Sequence, residues 1–228
     1  MLLGTVSRNG VSPMLRTRGL VIDRLEPHMT AEFEQVVQIY TEALPESERK
    51  GVSELRNMLS RPAYEFLVAR IDGAVVGFST LAALSHTNAC LLEYMAVLRQ
   101  ERSLGIGRLL FRRAVSTVLA ASRYVLLEVD SDGLDDAGRE QRAGRQRFYR
   151  DLGCRKVNGL LYVMPLVTSN TPPPMDLLVY RPDLPPKIDK VQLRAWLEVM
   201  YVEIYEQPLN DERIREMLAP LPGEVTLV

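Results

Sequence analysis

The chain has few of the residues that build metal sites and disulfide frameworks. It contains two cysteines and two histidines in 228 residues, and His28 and His86 lie far apart in the sequence. Cys90 and Cys154 are too few for a disulfide framework or a four-cysteine zinc site. We therefore expect no metal, and we interpret both cysteines as small apolar core residues.

The sequence also lacks an excess of charge of one sign and a long apolar run. The 28 basic and 29 acidic side chains give a net charge of −1, which argues against a broad surface for nucleic acid. No segment approaches the length of a membrane span, and residues 1–10 have no apolar core long enough for a signal peptide. We therefore expect a cytoplasmic protein with neither nucleic acid nor a membrane as partner.

The most informative stretch runs from Leu91 to Arg108 and joins an apolar strand to the start of a helix. Apolar residues fill Leu91 to Val97 except at Glu93, and they recur at helical spacing after Gly105. Gly105 and a second glycine two residues later remove steric bulk where the backbone turns. The unpaired N–H groups and the dipole of a first helical turn favour an anion, for which a diphosphate is the obvious candidate.

This junction resembles the signature of the GNAT superfamily of N-acetyltransferases, which is an Arg or Gln, two residues, Gly, one residue and then Gly or Ala after a strand ending in Val. Four residues match it in register: Val97, Arg102, Gly105 and Gly107. Arg99 and Ser103 stand where the family usually has Pro and Gly, but neither change removes a backbone N–H. A mononucleotide-binding loop, the alternative for this turn, would carry a Lys-Ser or Lys-Thr that is missing here.

A second match to the family pattern lies at Phe148 to Gly153. In the family, Phe-Tyr is followed by three residues, a Gly and an aromatic residue. Cys154 replaces that aromatic residue, while Tyr149 is in place. The two matches support one another, because a glycine turn alone is weak evidence for a function.

Periodicity predicts the order of strands and helices around the junction. The pattern favours a strand at Leu20 to Leu25 and a helix capped by Thr30, and then a hairpin turning at Asp72-Gly73. After the helix Gly105 to Ser122, the strand Arg123 to Asp130 should run parallel to Ala89 to Val97. The remaining predicted elements are strands at Arg155 to Val157, Leu160 to Val167 and Met175 to Tyr180, a connector at Thr168 to Pro174, and helices at Lys187 to Glu206 and Asp211 to Leu218.

Together with the resemblance, these elements imply an α/β (α+β) fold. We predict a mixed, mostly antiparallel central sheet with a parallel, splayed strand pair, flanked by helices and followed by a C-terminal helical extension. Residues 1–18 read as a loosely ordered leader to which we assign no role, with Met14 as an alternative start. Residues 19–180 form the GNAT-like domain. Residues 181–228 cover an edge of its core, with a homodimer contact as the second interpretation and Trp196 lining an acceptor site as the third.

The resemblance implies an acetyl-CoA-dependent N-acetyltransferase. The acetyl group would pass directly to a primary amine of a small molecule or peptide in a ternary complex, without a covalent enzyme intermediate. The alternative is a catalytically silent acyl-CoA-binding sensor or interaction module. The acceptor cannot be identified from the sequence, because the fold and the cofactor leave the substrate loops unconstrained.

The resemblance also implies which residues hold the cofactor. The pantetheine arm would follow the backbone of the strand, and the phosphates would bind the amides of the turn. The implied cofactor-binding residues are Met95, Ala96, Val97, Arg102, Ser103, Leu104, Gly105, Ile106, Gly107 and Arg108.

Two side chains are candidates for the proton transfers. Tyr149 is the first choice for the general acid that protonates the thiolate, the alternative being a packing role beside Phe148. Glu93 shares strand parity with Met95 and could be the general base, with Glu128 or a water molecule as the other candidates. Three glutamates near the first helix, Glu42, Glu46 and Glu48, could attract a cationic amine or belong to a solvated loop.

Overall fold

The computed structural model describes residues 19–121, 123–133, 136–166 and 174–228. The predicted leader and most of the predicted connector after residue 167 lie outside the described residues. The strands are β1 Val21–Arg24, β2 Tyr64–Ile71, β3 Ala74–Ala83, β4 Ala89–Val97, β5 Tyr124–Asp130, β6 Arg155–Lys156, β7 Met175–Tyr180, β8 Lys187–Asp189 and β9 Glu224–Thr226. The α-helices are α1 Thr30–Ala43, α2 Val52–Leu59, α3 Ile106–Ala120, α4 Arg139–Asp151, α5 Lys190–Glu203 and α6 Glu212–Leu218, with short 3-10 turns at Glu46–Glu48 and Arg99–Glu101.

Within the described ranges, seven strands form one sheet in the order β1-β2-β3-β4-β5-β7-β6. Every neighbouring pair is antiparallel except β4 and β5, which are parallel. The parallel ladder joins only residues 89–91 to residues 124–126, although both strands continue beyond it. The predicted mixed sheet with a parallel pair that splays apart is therefore confirmed.

The hairpin between β2 and β3 turns where the sequence predicts. Asp72 and Gly73 have φ angles of 50° and 83°, which a two-residue hairpin turn of this kind requires. Glycine adopts such an angle without strain because it has no Cβ. The turn sets the register of the residue pairs next to it, up to the β-bulge between Ala69 and Arg70.

The sheet buries two apolar clusters, one on each face. One cluster includes side chains from α1, α2, α5 and α6, and the other is built around α3 and α4. Trp196 on α5 is 1% exposed, packs its ring 4.9 Å from that of Tyr124, and donates its indole N–H to Asn88 Oδ1 at 2.9 Å. The C-terminal segment therefore packs on the face that carries α1, while its status as a separate unit and a dimer contact stay predictions.

Three details of the predicted elements are wrong. Thr30 does not cap α1, because the helix begins at Thr30 and has no side-chain cap. The predicted helix from Lys187 begins three residues later, because Lys187–Asp189 pairs with β9 and Asp189 caps the helix through the Val191 N–H at 2.6 Å.

The third wrong detail is the strand predicted at Leu160 to Val167, whose described part forms no ladder. Tyr201 and Met217 of the C-terminal segment bond to the backbone of Val163 instead. Side chains thus take the place that a neighbouring strand would have.

None of the helices in the described part of the chain is both long enough and apolar enough to cross a membrane.

Candidate active site

A cavity of about 740 Å³ opens where β4 and β5 separate. The C-terminal half of β4 and the end of β5 form two of its walls. The turn before α3 lies at one end, which we call the cofactor end. The other end, which we call the acceptor end, is lined by Glu48, Met164 and Tyr205. The splay thus creates the space, because paired strands would leave none.

The cofactor end is made by the turn into α3. Ser103 and Gly105 have φ angles of 69° and 80°, and the first hydrogen bond of the helix runs from the Leu109 N–H to the Gly105 carbonyl at 3.1 Å. The amides of residues 106–108 precede that bond, so they have no helical carbonyl as partner. Arg102 donates from Nε to the Val97 carbonyl at 3.2 Å and folds the turn back on the end of β4.

Nine of the ten cofactor residues expected from the sequence line this cavity. The exception is Leu104, whose side chain packs against the cluster around α3. A Cβ at Gly105 would meet no atom within 4 Å, so this glycine is required by its positive φ and not by space. The amides without a helical partner, the helix N-terminus and the open cradle fit a diphosphate.

Tyr149 lies on α4 and faces the same cavity. Its ring is 5.1 Å from the ring of Phe148 and 6.1 Å from that of Phe111, measured between centroids. Burial raises the pKa of the Tyr149 phenol well above its ordinary value. The hydroxyl therefore keeps its proton throughout the neutral range.

Glu93 is the extra residue of a β-bulge in β4. Thr80 of β3 faces Tyr94 and Leu81 faces Leu92, so Glu93 has no partner in the ladder. The bulge interrupts the alternation that the sequence analysis used. Met95 packs with the cluster around α3, whereas the Glu93 carboxylate bonds to Lys50 on the other face.

Lys50 joins Glu93 to the C-terminal segment. Its ammonium lies 2.9 Å from Glu93 Oε1 and donates to the Ile204 carbonyl at 2.8 Å. The Glu93 side chain is 3% exposed, and burial raises the pKa of its carboxyl while Lys50 lowers it. Sequence reasoning missed this ion pair, because the two residues are 43 positions apart and no local pattern connects them.

Glu128 extends from the splayed part of β5 into the cavity. The hydroxyls of Tyr162 and Tyr205 each donate a hydrogen bond to its carboxylate. Desolvation raises the pKa of Glu128 to about 7, although both hydroxyls favour the charged form. Strand position makes Glu128 a second candidate base, but no local pattern in the sequence points to the two tyrosines.

Glu48 is the last residue of the 3-10 turn after α1 and is 7% exposed. Desolvation, with the nearby Asp130 as the second cause, raises its pKa to about 7. The Tyr94 hydroxyl donates to the Glu48 carbonyl and the Tyr40 hydroxyl to the Lys50 carbonyl, each at 3.3 Å. The turn is therefore anchored to the core, whereas Glu42 and Glu46 are exposed.

Both cysteines are buried and outside the residues that line the cavity. Burial raises the pKa of the Cys90 thiol and raises that of Cys154 to about 12, so neither is a ready nucleophile. The prediction that they are core residues is confirmed. The described residues hold no group of three or more His, Cys, Asp or Glu side chains that could bind a metal ion.

Comparison with known proteins places these observations in a family. The sequence profile of the acetyltransferase (GNAT) family matches residues 33–154. No curated protein matches the chain.

Solved structures with the same fold are numerous. A protein assigned to the GNAT acetyltransferases from Bacteroides thetaiotaomicron superposes with a TM-score of 0.68 at 17% identity, over 82% of this chain and 99% of that chain. An aminoglycoside 6′-N-acetyltransferase complexed with coenzyme A gives 0.56 at 18% identity, over 72% and 99%. The ribosomal-protein-S18-alanine N-acetyltransferase from Escherichia coli gives 0.53 at 16% identity, over 73% and 99%.

Proposed function

The chain belongs to the acetyltransferase (GNAT) family, whose members use acetyl-CoA, and from that premise we propose that it transfers an acetyl group to a primary amine. The transfer is direct, in a ternary complex of enzyme, acetyl-CoA and acceptor. The acceptor is a small molecule or a peptide. The cytoplasmic location and the absence of nucleic-acid and membrane partners stay predictions.

One observation carries this proposal, namely the continuity of the cavity from the turn before α3 to the carboxylates of the acceptor end. The amides of residues 106–108 point from a helix N-terminus and would hold the diphosphate. The backbone of Met95, Ala96 and Val97 lies beyond the parallel ladder, so its polar groups on that side are open to the pantetheine arm. Acetyl-CoA supplies the thioester carbonyl and a thiolate leaving group when it is bound.

The acceptor amine must lose a proton before it can act as a nucleophile. A base works best when its pKa lies close to the working pH. Glu128, with a pKa of about 7 and no ion pair in the described part of the chain, meets this requirement. Glu93 is the alternative base, but its charge is already balanced by Lys50 at 2.9 Å. We therefore assign the proton transfer to Glu128 and an electrostatic supporting role to Glu93.

Tyr149 is our candidate for the group that donates to the leaving sulfur. Its raised pKa makes complete proton transfer less favourable than it would be from a free phenol. The same shift keeps the hydroxyl protonated and able to donate a hydrogen bond as negative charge develops on sulfur. Neither cysteine is needed, since direct transfer passes through no acetylated side chain.

Release of free thiol from acetyl-CoA in the presence of amines tests the proposal. A panel of monoamines, diamines, aminoglycosides and N-terminal peptides should contain at least one acceptor that raises thiol release above the amine-free background, and mass spectrometry should show the acetylated amine. Calorimetry with coenzyme A provides the second measurement. Binding of coenzyme A without turnover of any amine would instead indicate a silent binding module.

A further inference from the structure

The acceptor end of the cavity holds more carboxylates than the proposed reaction needs. Four line it, of which Glu93 is paired with Lys50 at 2.9 Å and Asp130 with Arg145 at 2.6 Å. Glu48 and Glu128 have no ion pair within the ranges that the structure describes. If Glu128 receives the proton of the reacting amine, Glu48 remains without a function.

Glu48 is a poor candidate for a purely structural residue. It is 7% exposed, and its Oε1 atom has no hydrogen-bond partner in the described part of the chain. A buried polar atom without a partner carries a substantial free-energy cost. The surrounding residues hold it in place all the same, because Tyr94 bonds to the Glu48 carbonyl and Tyr40 to the carbonyl of Lys50.

We propose that the acceptor is a diamine, with one amine at Glu128 for acetylation and a second ammonium group bound by the Glu48 carboxylate. This inference rests on the proposed function and names the substrate class for the same site. The ammonium would supply the ionic partner that the Glu48 carboxylate lacks among the described residues. Asp130 lies near Glu48 but is paired with Arg145 at 2.6 Å, so the attraction comes from the Glu48 carboxylate.

Matched pairs of amines test this inference. Linear α,ω-diamines of increasing length are compared with the n-alkylamines of equal chain length, and kcat/KM is measured by thiol release. The best diamine should exceed its monoamine by roughly 10- to 100-fold, as expected for a hydrogen-bonded charge pair in a desolvated site. In Glu48→Gln this ratio should fall towards one, because the amide has the same shape without the charge.

Glu46→Gln is the control, since Glu46 belongs to the same 3-10 turn and is exposed. It should keep the full ratio of diamine to monoamine. Folding of both variants is verified by their affinity for coenzyme A, which binds at the other end of the cavity. Equal kcat/KM for diamines and monoamines, or an undiminished ratio in Glu48→Gln, would overturn the diamine assignment and leave the proposed function intact. If no amine of any kind is acetylated, both fail together.

Discussion

The two ends of the cavity are built in different ways. The cofactor end comes mainly from one continuous stretch, residues 95–108, in which a strand, a turn and a helix start follow one another, with Phe148 of α4 beside Gly107. The acceptor end is assembled from Glu48, Glu128, Tyr162 and Tyr205, which lie on four distant segments. A local arrangement can be recognised from spacing, whereas a distant one becomes visible only after the chain has folded. Variants that disturb one end should therefore leave the other unchanged.

The largest effect is expected at the acceptor end. Glu128→Gln should lower kcat by roughly 10²- to 10⁴-fold, the usual contribution of a general base. In the wild type, kcat/KM should rise with pH through about 7, because Glu128 accepts a proton only after it has lost its own. The charged and titratable groups around it are Tyr162, Tyr205, Glu93, Lys50 and Glu48.

A pH series of kcat/KM for the wild type and Glu128→Gln provides the measurement. Affinity for coenzyme A should be the same in both proteins, because Glu128 lies beyond the cofactor end. If kcat/KM of Glu128→Gln still rises through neutral pH, the general base is Glu93 or a water molecule.

Tyr149 lies between the two ends, and its removal should have the next largest effect. Tyr149→Phe should reduce kcat by roughly 10²-fold, because the leaving sulfur loses its donor while the ring keeps its packing. Tyr180→Phe is a matched control, since the Tyr180 ring also packs on Phe111, at 5.1 Å, but lies outside the cavity lining. Equal kcat values for Tyr149→Phe and Tyr180→Phe would show that Tyr149 only packs against its neighbours.

A smaller effect is expected at the cofactor end. Gly105→Ala places a Cβ on a residue with a φ of 80°, which strains the turn or shifts the amides that follow it. Isothermal titration should show an affinity for coenzyme A about 10-fold weaker, equivalent to roughly 1.4 kcal/mol. Gly223→Ala adds a Cβ in open space without a positive φ and should change nothing. A change in the pH profile of Gly105→Ala would show that the two ends are coupled.

The smallest effect should come from the C-terminal segment. Tyr205→Phe removes one of the two hydroxyls that stabilise the charged form of Glu128, so the midpoint of kcat/KM should move to higher pH. Activity at pH 7 should fall by a factor of roughly 3, since one hydrogen bond contributes about 1 kcal/mol. In a Glu128→Gln background the substitution should have no such effect. The same shift in that background would show that Tyr205 acts on a different group.

Sequence reasoning reached furthest where the signal was local. Asp72-Gly73 predicted the hairpin because two residues fix its turn, and Gly105 with Gly107 predicted the turn into α3. It failed where the outcome depends on distant partners. The stretch from Leu160 to Val167 is an unbroken apolar run, which favours a strand, but the backbone of Val163 bonds to Tyr201 and Met217. In the sequence, Lys50 has the features of a solvated loop residue. Only the folded chain brings Glu93 and the Ile204 carbonyl next to it.

The hydrogen bond from Lys50 to the Ile204 carbonyl also affects the order in which the two ends of the cavity can form during synthesis. Residues 95–108 can form their strand and turn while the ribosome is still translating the C-terminal third of the chain. Lys50 and Glu128 must wait for Ile204 and Tyr205, which follow Glu128 by 76 and 77 residues. A nascent chain should therefore gain the ability to hold coenzyme A before it gains the ability to use it.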